Sequence, residues 1–185
     1  MASKIDLISN ALILIGDTPI NSLTGGTRAQ QVSSNLYDNI VQNELSKHRW
    51  GFAKKKAQLS LTTDTPVDNE WSSIYQLPSD MLFLIKIYPN VRYQLYGDKV
   101  YTDVSSAIYA DYIHNVSENN WPVYFAKMIE YALALDFSTS IRDSASSRDQ
   151  MAAAYVNCAR MARYTDSQQY PQVPIRSNPF TDVRF

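Results

Sequence analysis

The spacing of apolar residues changes twice along this chain, and this change limits the folds that the chain can adopt. Before Trp50 and after Trp121, apolar side chains recur every three or four positions, which predicts helices. Between Trp50 and His114 they recur at every second position, which predicts strands. We therefore expect an α+β chain with a helix pair at each end and strands between the pairs.

The first helix pair carries clear start and stop signals. Ser3 and Thr27 are residue types that cap helices, and Gly16 can end the first helix in a left-handed conformation. These signals, with the apolar periodicity, predict helices over about 3–16 and about 28–48.

The second helix pair is predicted over about 121–141 and about 147–165. Pro122 suits the first turn of the third helix, where a missing N–H costs nothing. Ser146 with Asp149 resembles a capping box for the fourth helix, whose apolar face includes Met161. So many positions of the third helix are apolar that we expect it to be buried on most sides.

The middle third, about 50–114, predicts a small antiparallel sheet. Its run from Leu82 to Tyr88 has the length and bulk of a buried strand. Gly97-Asp98 is a good two-residue hairpin turn, since Gly tolerates positive φ. The length of 185 residues suits one domain, here 1–166. Prolines predict an extended tail over 167–185.

Composition excludes several classes of protein. The chain is 45% hydrophobic and 19% charged, which argues against a disordered or a membrane protein. The net charge of -1 supplies no overall field for binding DNA. Cys158 is the single cysteine, which excludes an internal disulfide framework and a thiolate metal cluster. We expect a soluble cytoplasmic product.

No catalytic or ligand-binding pattern stands out in the sequence. His48 and His114 lie far apart, and neither has a partner at the spacing that metal ligands require. His48 is better explained as a charge partner near the end of the second helix. We therefore predict neither an enzyme nor a cofactor or metal site.

A basic and aromatic segment follows the second helix. One interpretation is a platform for single-stranded nucleic acid, and another is a solvated strand edge that resists aggregation. A third is contact with an acidic partner. Strand alternation would put Lys54 and Lys56 on one face and Lys55 on the other. The basic residues concerned are Arg49, Lys54, Lys55 and Lys56.

Three segments resemble a known family. Ala11 to Leu23 is similar to the "LxxLGExPIxSL" start of tail tubular protein A-like head-to-tail adaptors of short-tailed phages, with Asp17 in place of the usual Glu. The segment from Leu36 to Ala53 resembles their "LYDxxRxxxLxxHPWNFA" signature, except at Arg49 and Gly51. The segment from Tyr75 to Leu82 is similar to "YxLPxDCLRVL". The similarity covers nearly the whole chain except the tail.

This resemblance implies a structural virion protein that is made in the host cytoplasm and located in the neck or tail of the particle. It implies a ring of identical subunits, usually twelve, between the portal protein and the tail nozzle protein, with genomic DNA passing nonspecifically through the lumen during ejection. It also implies a four-helix bundle formed by the two helix pairs, with the small antiparallel sheet inserted between them and the C-terminal tail extended.

Contact residues can be assigned on this basis, with alternatives. The tail and helices are expected to engage the portal, and the sheet the nozzle or a neighbouring subunit; an ordinary half-exposed sheet would explain the tyrosines equally well. The rival functions are another neck or tail-completion protein and a small nucleic-acid-binding module. The tail residues proposed are Pro171, Pro174, Ile175, Arg176, Phe180 and Phe185, and the sheet residues are Tyr93, Tyr96, Tyr101 and Tyr109.

Overall fold

The described residues, 3–67 and 70–169 of a computed structural model, form four α-helices and seven β-strands. The helices are α1 (Lys4–Leu14), α2 (Arg28–Ser46), α3 (Val123–Ser140) and α4 (Ala145–Gln168). The strands are β1 (Lys54–Gln58), β2 (Ser60–Leu61), β3 (Ser73–Gln76), β4 (Met81–Tyr88), β5 (Tyr93–Tyr96), β6 (Lys99–Thr102) and β7 (Tyr109–His114). No helix in this described part is long and apolar enough to cross a membrane.

The caps of α1 and α2 are those that the sequence predicts. The Ser3 hydroxyl accepts a hydrogen bond from the Asp6 N–H, and the Thr27 hydroxyl accepts one from the Gln30 N–H. In both cases the third helical residue bonds back to the cap, which completes a capping box. Gly16 follows α1 with φ of 75°, a conformation that glycine adopts without strain.

The starts of α3 and α4 differ from the predictions. Pro122 is extended and precedes α3 instead of occupying its first turn. Ser144, and not Ser146, caps α4, because its hydroxyl accepts from the Ser147 N–H at 3.3 Å. Both serines suit a cap by type, and only the path of the chain between α3 and α4 selects one of them.

The predicted architecture, a four-helix bundle with one small antiparallel sheet inserted in it, is wrong. The chain is α+β, but its seven strands form two antiparallel sheets, preceded by α1 and α2 and followed by α3 and α4. The helices do not form a symmetric bundle either, since α3 contacts each of the others whereas α4 packs chiefly on α3. Strand periodicity identifies strands but not the sheet to which each belongs.

The chain moves between the two sheets several times. One sheet has the order β1-β7-β4, and the other has the order β2-β3-β6-β5. The first crossing occurs at Leu59, which is buried between β1 and β2 and whose N–H bonds to the Ile108 carbonyl at 2.9 Å. We call these the β7 sheet and the β6 sheet after their central strands.

Two hydrophobic cores result. The first surrounds α3, with α1, α2 and Trp50 packed against it, and it includes Ile113 of β7. The second lies between the sheets, where Tyr75 and Val100 of the β6 sheet meet Tyr112 of the β7 sheet. The neighbouring residues 112 and 113 point to opposite faces of β7, so this strand belongs to both cores. The extensive burial predicted for α3 is confirmed.

The strand predicted to be buried, from Leu82 to Tyr88, lies at an edge. It forms most of β4, pairs only with β7, and contains two register shifts. Ile87 is the one residue of β4 that is fully buried. An apolar run of this length fits either a central strand or a bulged edge strand, and the sequence does not separate the two.

Candidate interaction surfaces

Three of the four tyrosines that the sequence proposes as contact residues lie on one hairpin. Tyr93 and Tyr96 belong to β5, and Tyr101 belongs to β6. The rings of Tyr96 and Tyr101 meet edge to face, with their centroids 4.8 Å apart. Gly97 turns the hairpin with φ of 60°, as its sequence predicts. Tyr96 and Tyr101 therefore form a small aromatic surface at the margin of the β6 sheet, whereas Tyr93 points to the other face of β5.

The fourth tyrosine lies in the other sheet. Tyr109 of β7 pairs with Tyr88 of β4, and both side chains are exposed. The Lys56 and Lys86 ammonium groups lie 4.3 Å and 4.8 Å from the centroid of the Tyr88 ring. This patch of aromatic and basic residues is separate from the hairpin, so the four predicted contact tyrosines do not form one surface.

The basic segment does not converge on one face. In the register of β1 with β7, Lys54 pairs with Ile113 and Lys56 with Asp111, whereas Lys55 pairs with Tyr112 on the opposite face. This is the alternation that the sequence predicts. Arg49 is exposed in the turn after α2.

Two of these lysines pair with carboxylates. The Lys55 ammonium lies 2.6 Å from one carboxylate oxygen of Asp80. The other oxygen of Asp80 accepts a hydrogen bond from the Tyr112 hydroxyl at 3.0 Å. The hydrogen bond from Lys55 lowers the pKa of Asp80 below its ordinary value. Lys56 lies 3.4 Å from Asp111. Ammonium groups engaged in this way are poorly placed to form a phosphate-binding array.

The apolar spacing along α4 does not reveal that this helix has an exposed apolar outer face. Val156, Met161 and Tyr164 are exposed along it, although periodicity assigned Met161 to the core. The helix instead packs on α3 through Ala159 and Ala162. Apolar residues on two sides of a helix blur the periodic signal, so the exposed side cannot be recognised from spacing alone. A long helix with an uncovered apolar face is a candidate contact surface.

The end of α4 is anchored by a buried carboxylate that the sequence does not reveal. Asp166 is fully buried. The Gly51 backbone N–H donates to both of its carboxylate oxygens, with N···O distances of 3.1 Å. The Tyr124 hydroxyl donates to it at 2.9 Å. The His48 Nε2 lies 3.7 Å from an Asp166 carboxylate oxygen, and the two form an ion pair only while His48 is protonated. These contacts hold the last turn of α4 against the domain.

A second buried carboxylate joins α2 to α4. The Glu44 carboxylate is bonded by the Lys47 ammonium at 2.5 Å and by the Tyr155 hydroxyl at 2.8 Å. Burial raises the pKa of Tyr155, so the hydroxyl keeps its proton for this bond. Both carboxylate oxygens of Glu44 thus have hydrogen-bond partners within the fold, as expected for a carboxylate with a structural role.

The predicted tail contacts lie outside the described residues. These are Pro171, Pro174, Ile175, Arg176, Phe180 and Phe185. Within the described ranges, no three His, Cys, Asp or Glu side chains group together as metal ligands would. What the structure does offer is several separate exposed surfaces of aromatic and aliphatic side chains.

Neither a comparison with models of known protein families nor one with curated proteins found a match to this chain.

Proposed function

We propose that this chain is a structural protein of a tailed-phage virion, a head-to-tail adaptor. In this proposal identical subunits, usually twelve, form a ring between the portal protein and the tail nozzle protein, and DNA passes through its lumen. Residues 167–185 and the helices face the portal, and the sheets face the nozzle or a neighbouring subunit. The chain performs no chemistry in this role.

The observation that carries the proposal is the distribution of exposed apolar surface. It occurs on the outer face of α4, on β5, and at the Tyr88–Tyr109 end of the β7 sheet. A ring subunit needs two different patches for its two neighbours, and an adaptor needs further contacts above and below. Several modest patches on different sides suit that role better than they suit an enzyme, whose groups converge in one cleft.

The residues of the three motif segments also support a scaffold role. The Tyr37 hydroxyl donates to Glu118 at 3.1 Å, and the Trp50 indole N–H donates to the Glu44 carbonyl at 3.0 Å. Asp80 accepts from Lys55 and Tyr112. The polar atoms of these motif residues are satisfied inside the fold, as expected for a family defined by packing and assembly.

Immunogold electron microscopy of intact virions tests the proposal. An antibody against this chain is expected to label the neck or the proximal tail. Labelling elsewhere on the particle would favour another tail-completion protein. Particles that stay unlabelled, although the antibody binds the native protein and the antigen is abundant in infected cells, would contradict a virion role.

A small nucleic-acid-binding module is the second candidate, favoured by the basic and aromatic segment near Trp50. Binding of a fluorescent single-stranded oligonucleotide, followed by anisotropy over a range of salt concentrations, separates the two. An adaptor is expected to bind feebly, and Lys54→Ala should change little. Strong binding that falls steeply with salt and is weakened by Lys54→Ala, but not by the control Lys86→Ala, would favour the module.

A further inference from the structure

The two sheets have four edges, and two of them are protected against pairing with another chain. The β1 edge carries three consecutive lysines. The β4 edge contains two register shifts that distort its ladder. Charge and bulges are devices by which proteins prevent unwanted strand addition. The β2 edge carries no charge and no register shift, but it is only two residues long, so it can pair only with a short strand.

The β5 edge has none of these protections. Its sequence, Tyr-Gln-Leu-Tyr, contains no charge and no proline, and all four residues are exposed. Its register with β6 is regular from Tyr93↔Thr102 to Tyr96↔Lys99. An uncharged, regular and exposed edge strand is suited to accept another strand.

The hairpin turn determines which backbone groups of β5 are available. Because Gly97-Asp98 is a two-residue turn, the closing pair Tyr96–Lys99 is hydrogen-bonded, and so is the pair Gln94–Tyr101. In an antiparallel ladder the alternate residues point their N–H and C=O groups the other way. The free edge therefore presents the backbone groups of Tyr93 and Leu95.

One apolar row crosses the whole β6 sheet. The register aligns Leu61 with Tyr75, Tyr75 with Val100, and Val100 with Leu95, so these four side chains share a face. Tyr75 and Val100 in the middle are buried, whereas Leu61 is 55% exposed and Leu95 is 44% exposed at the two ends. The apolar row therefore ends in an exposed leucine at each edge of the sheet.

The opposite edge has the right polarity and space to continue this row. The four strands are antiparallel to their neighbours, so β5 and β2 run in opposite directions. A β5 strand placed beside β2 of another copy would thus pair with it antiparallel. A groove of about 450 Å³, lined by Leu59, Leu61, Tyr75 and Ser105–Ala107 among others, lies next to β2 and offers space for an incoming side chain.

We propose that β5 of one copy pairs with β2 of the next copy, with Leu95 against Leu61, so that the β6 sheet continues from copy to copy. The contact joins two different edges and is head-to-tail, the geometry that closes into a ring by rotation. Closure into a ring rests on the proposed adaptor function, but the pairing itself does not. So short a strand pair buries less than the roughly 1,000 Å² of a stable interface, so we expect the pairing to be weak between two free copies and to be detected at high protein concentration.

Chemical crosslinking tests this arrangement in the full chain. In a Cys158→Ala background, Leu61→Cys and Leu95→Cys are combined, and concentrated protein is treated with a short bis-maleimide. The double variant is expected to give a ladder of dimers, trimers and larger species. Each single variant should remain monomeric. Pairing Leu61→Cys with Gln94→Cys, on the other face of β5, is the matched control and should reduce the ladder sharply.

Two crosslinking outcomes would overturn the proposal. Efficient dimerisation of the Leu95→Cys single variant would show β5 pairing with β5 of another copy. Failure of the double variant to crosslink at the highest soluble concentration would contradict the pairing of β5 with β2. Circular dichroism confirms that each variant is folded, which is expected because Leu61 and Leu95 are both exposed.

Sedimentation equilibrium supplies a second measurement without cysteines. Leu95→Lys places a charge on the edge and is expected to weaken self-association by at least about tenfold. Val67→Lys, which adds the same charge at a position 98% exposed and outside the sheets, should not. Equal association of the two variants would contradict the proposal. A ladder without virion labelling would retain the pairing and reject the adaptor role, and labelling without a ladder would do the reverse.

Discussion

At the residue scale, Asp166 is a buried carboxylate that anchors the end of α4. It joins α4 to Gly51 and Tyr124 through charge-assisted hydrogen bonds in a fully buried position. Asp166→Asn keeps the shape but removes the charge and points an amide toward a donor. We expect it to lower the free energy of unfolding by about 3 kcal/mol in urea denaturation.

The matched control for this prediction is Asp149→Asn. Asp149 lies on the same helix and is exposed, so the change should stay within about 0.5 kcal/mol. Equal stability of the two variants would show that the contacts of Asp166 contribute little.

His48 should make stability depend on pH near neutrality. Burial lowers the pKa of His48 below its ordinary value of 6.5, more than the nearby Asp166 raises it. The unfolded chain then binds the proton more readily than the folded chain, so stability is full above that value and falls as the pH drops below it.

Urea unfolding between about pH 7.5 and about pH 5.5 measures this dependence, in a range above the ordinary carboxylate pKa values. His48→Gln should flatten the slope, whereas His114→Gln serves as the histidine control. An unchanged slope in His48→Gln would assign the dependence to another group.

At the element scale, α4 ends where the predicted tail begins, and two deletions separate their roles. Removing 170–185 keeps Asp166 and should leave the free energy of unfolding within about 0.5 kcal/mol, while abolishing portal binding in a pull-down. Removing 166–185 also deletes the anchor and should cost about 3 kcal/mol. Portal binding that survives the shorter deletion would contradict the role assigned to the tail.

Each strand was easier to predict than the strands with which it pairs. Alternation around Lys54–Lys56 correctly placed Lys55 on its own face, because that property depends on the local backbone alone. The position of β4 at an edge, and the switch of sheet at Leu59, depend on which strands meet in space. Ser144 and Ser146 could not be separated for the same reason, since both suit a cap.

At the scale of the whole molecule, β7 couples the two cores. Ile113 belongs to the helical core and Tyr112 to the core between the sheets. We therefore expect one unfolding transition. Leu133→Ala in α3 should lower stability by about 3 kcal/mol and shift the helical circular dichroism and tyrosine fluorescence together. Separate transitions, with only the helical signal shifted, would mean that the two cores unfold independently.

The sequence by itself determined the four helices, the first two caps, the hairpin turn at Gly97-Asp98 and the burial of α3, because these depend on neighbouring residues. The tertiary structure alone decided the division into two sheets, the exposed face of α4, the buried contact of Asp166 in α4 with Gly51, and the unprotected edge at β5. These features join residues that are distant in sequence. Pairing and burial over such distances leave no local periodicity from which they could be read.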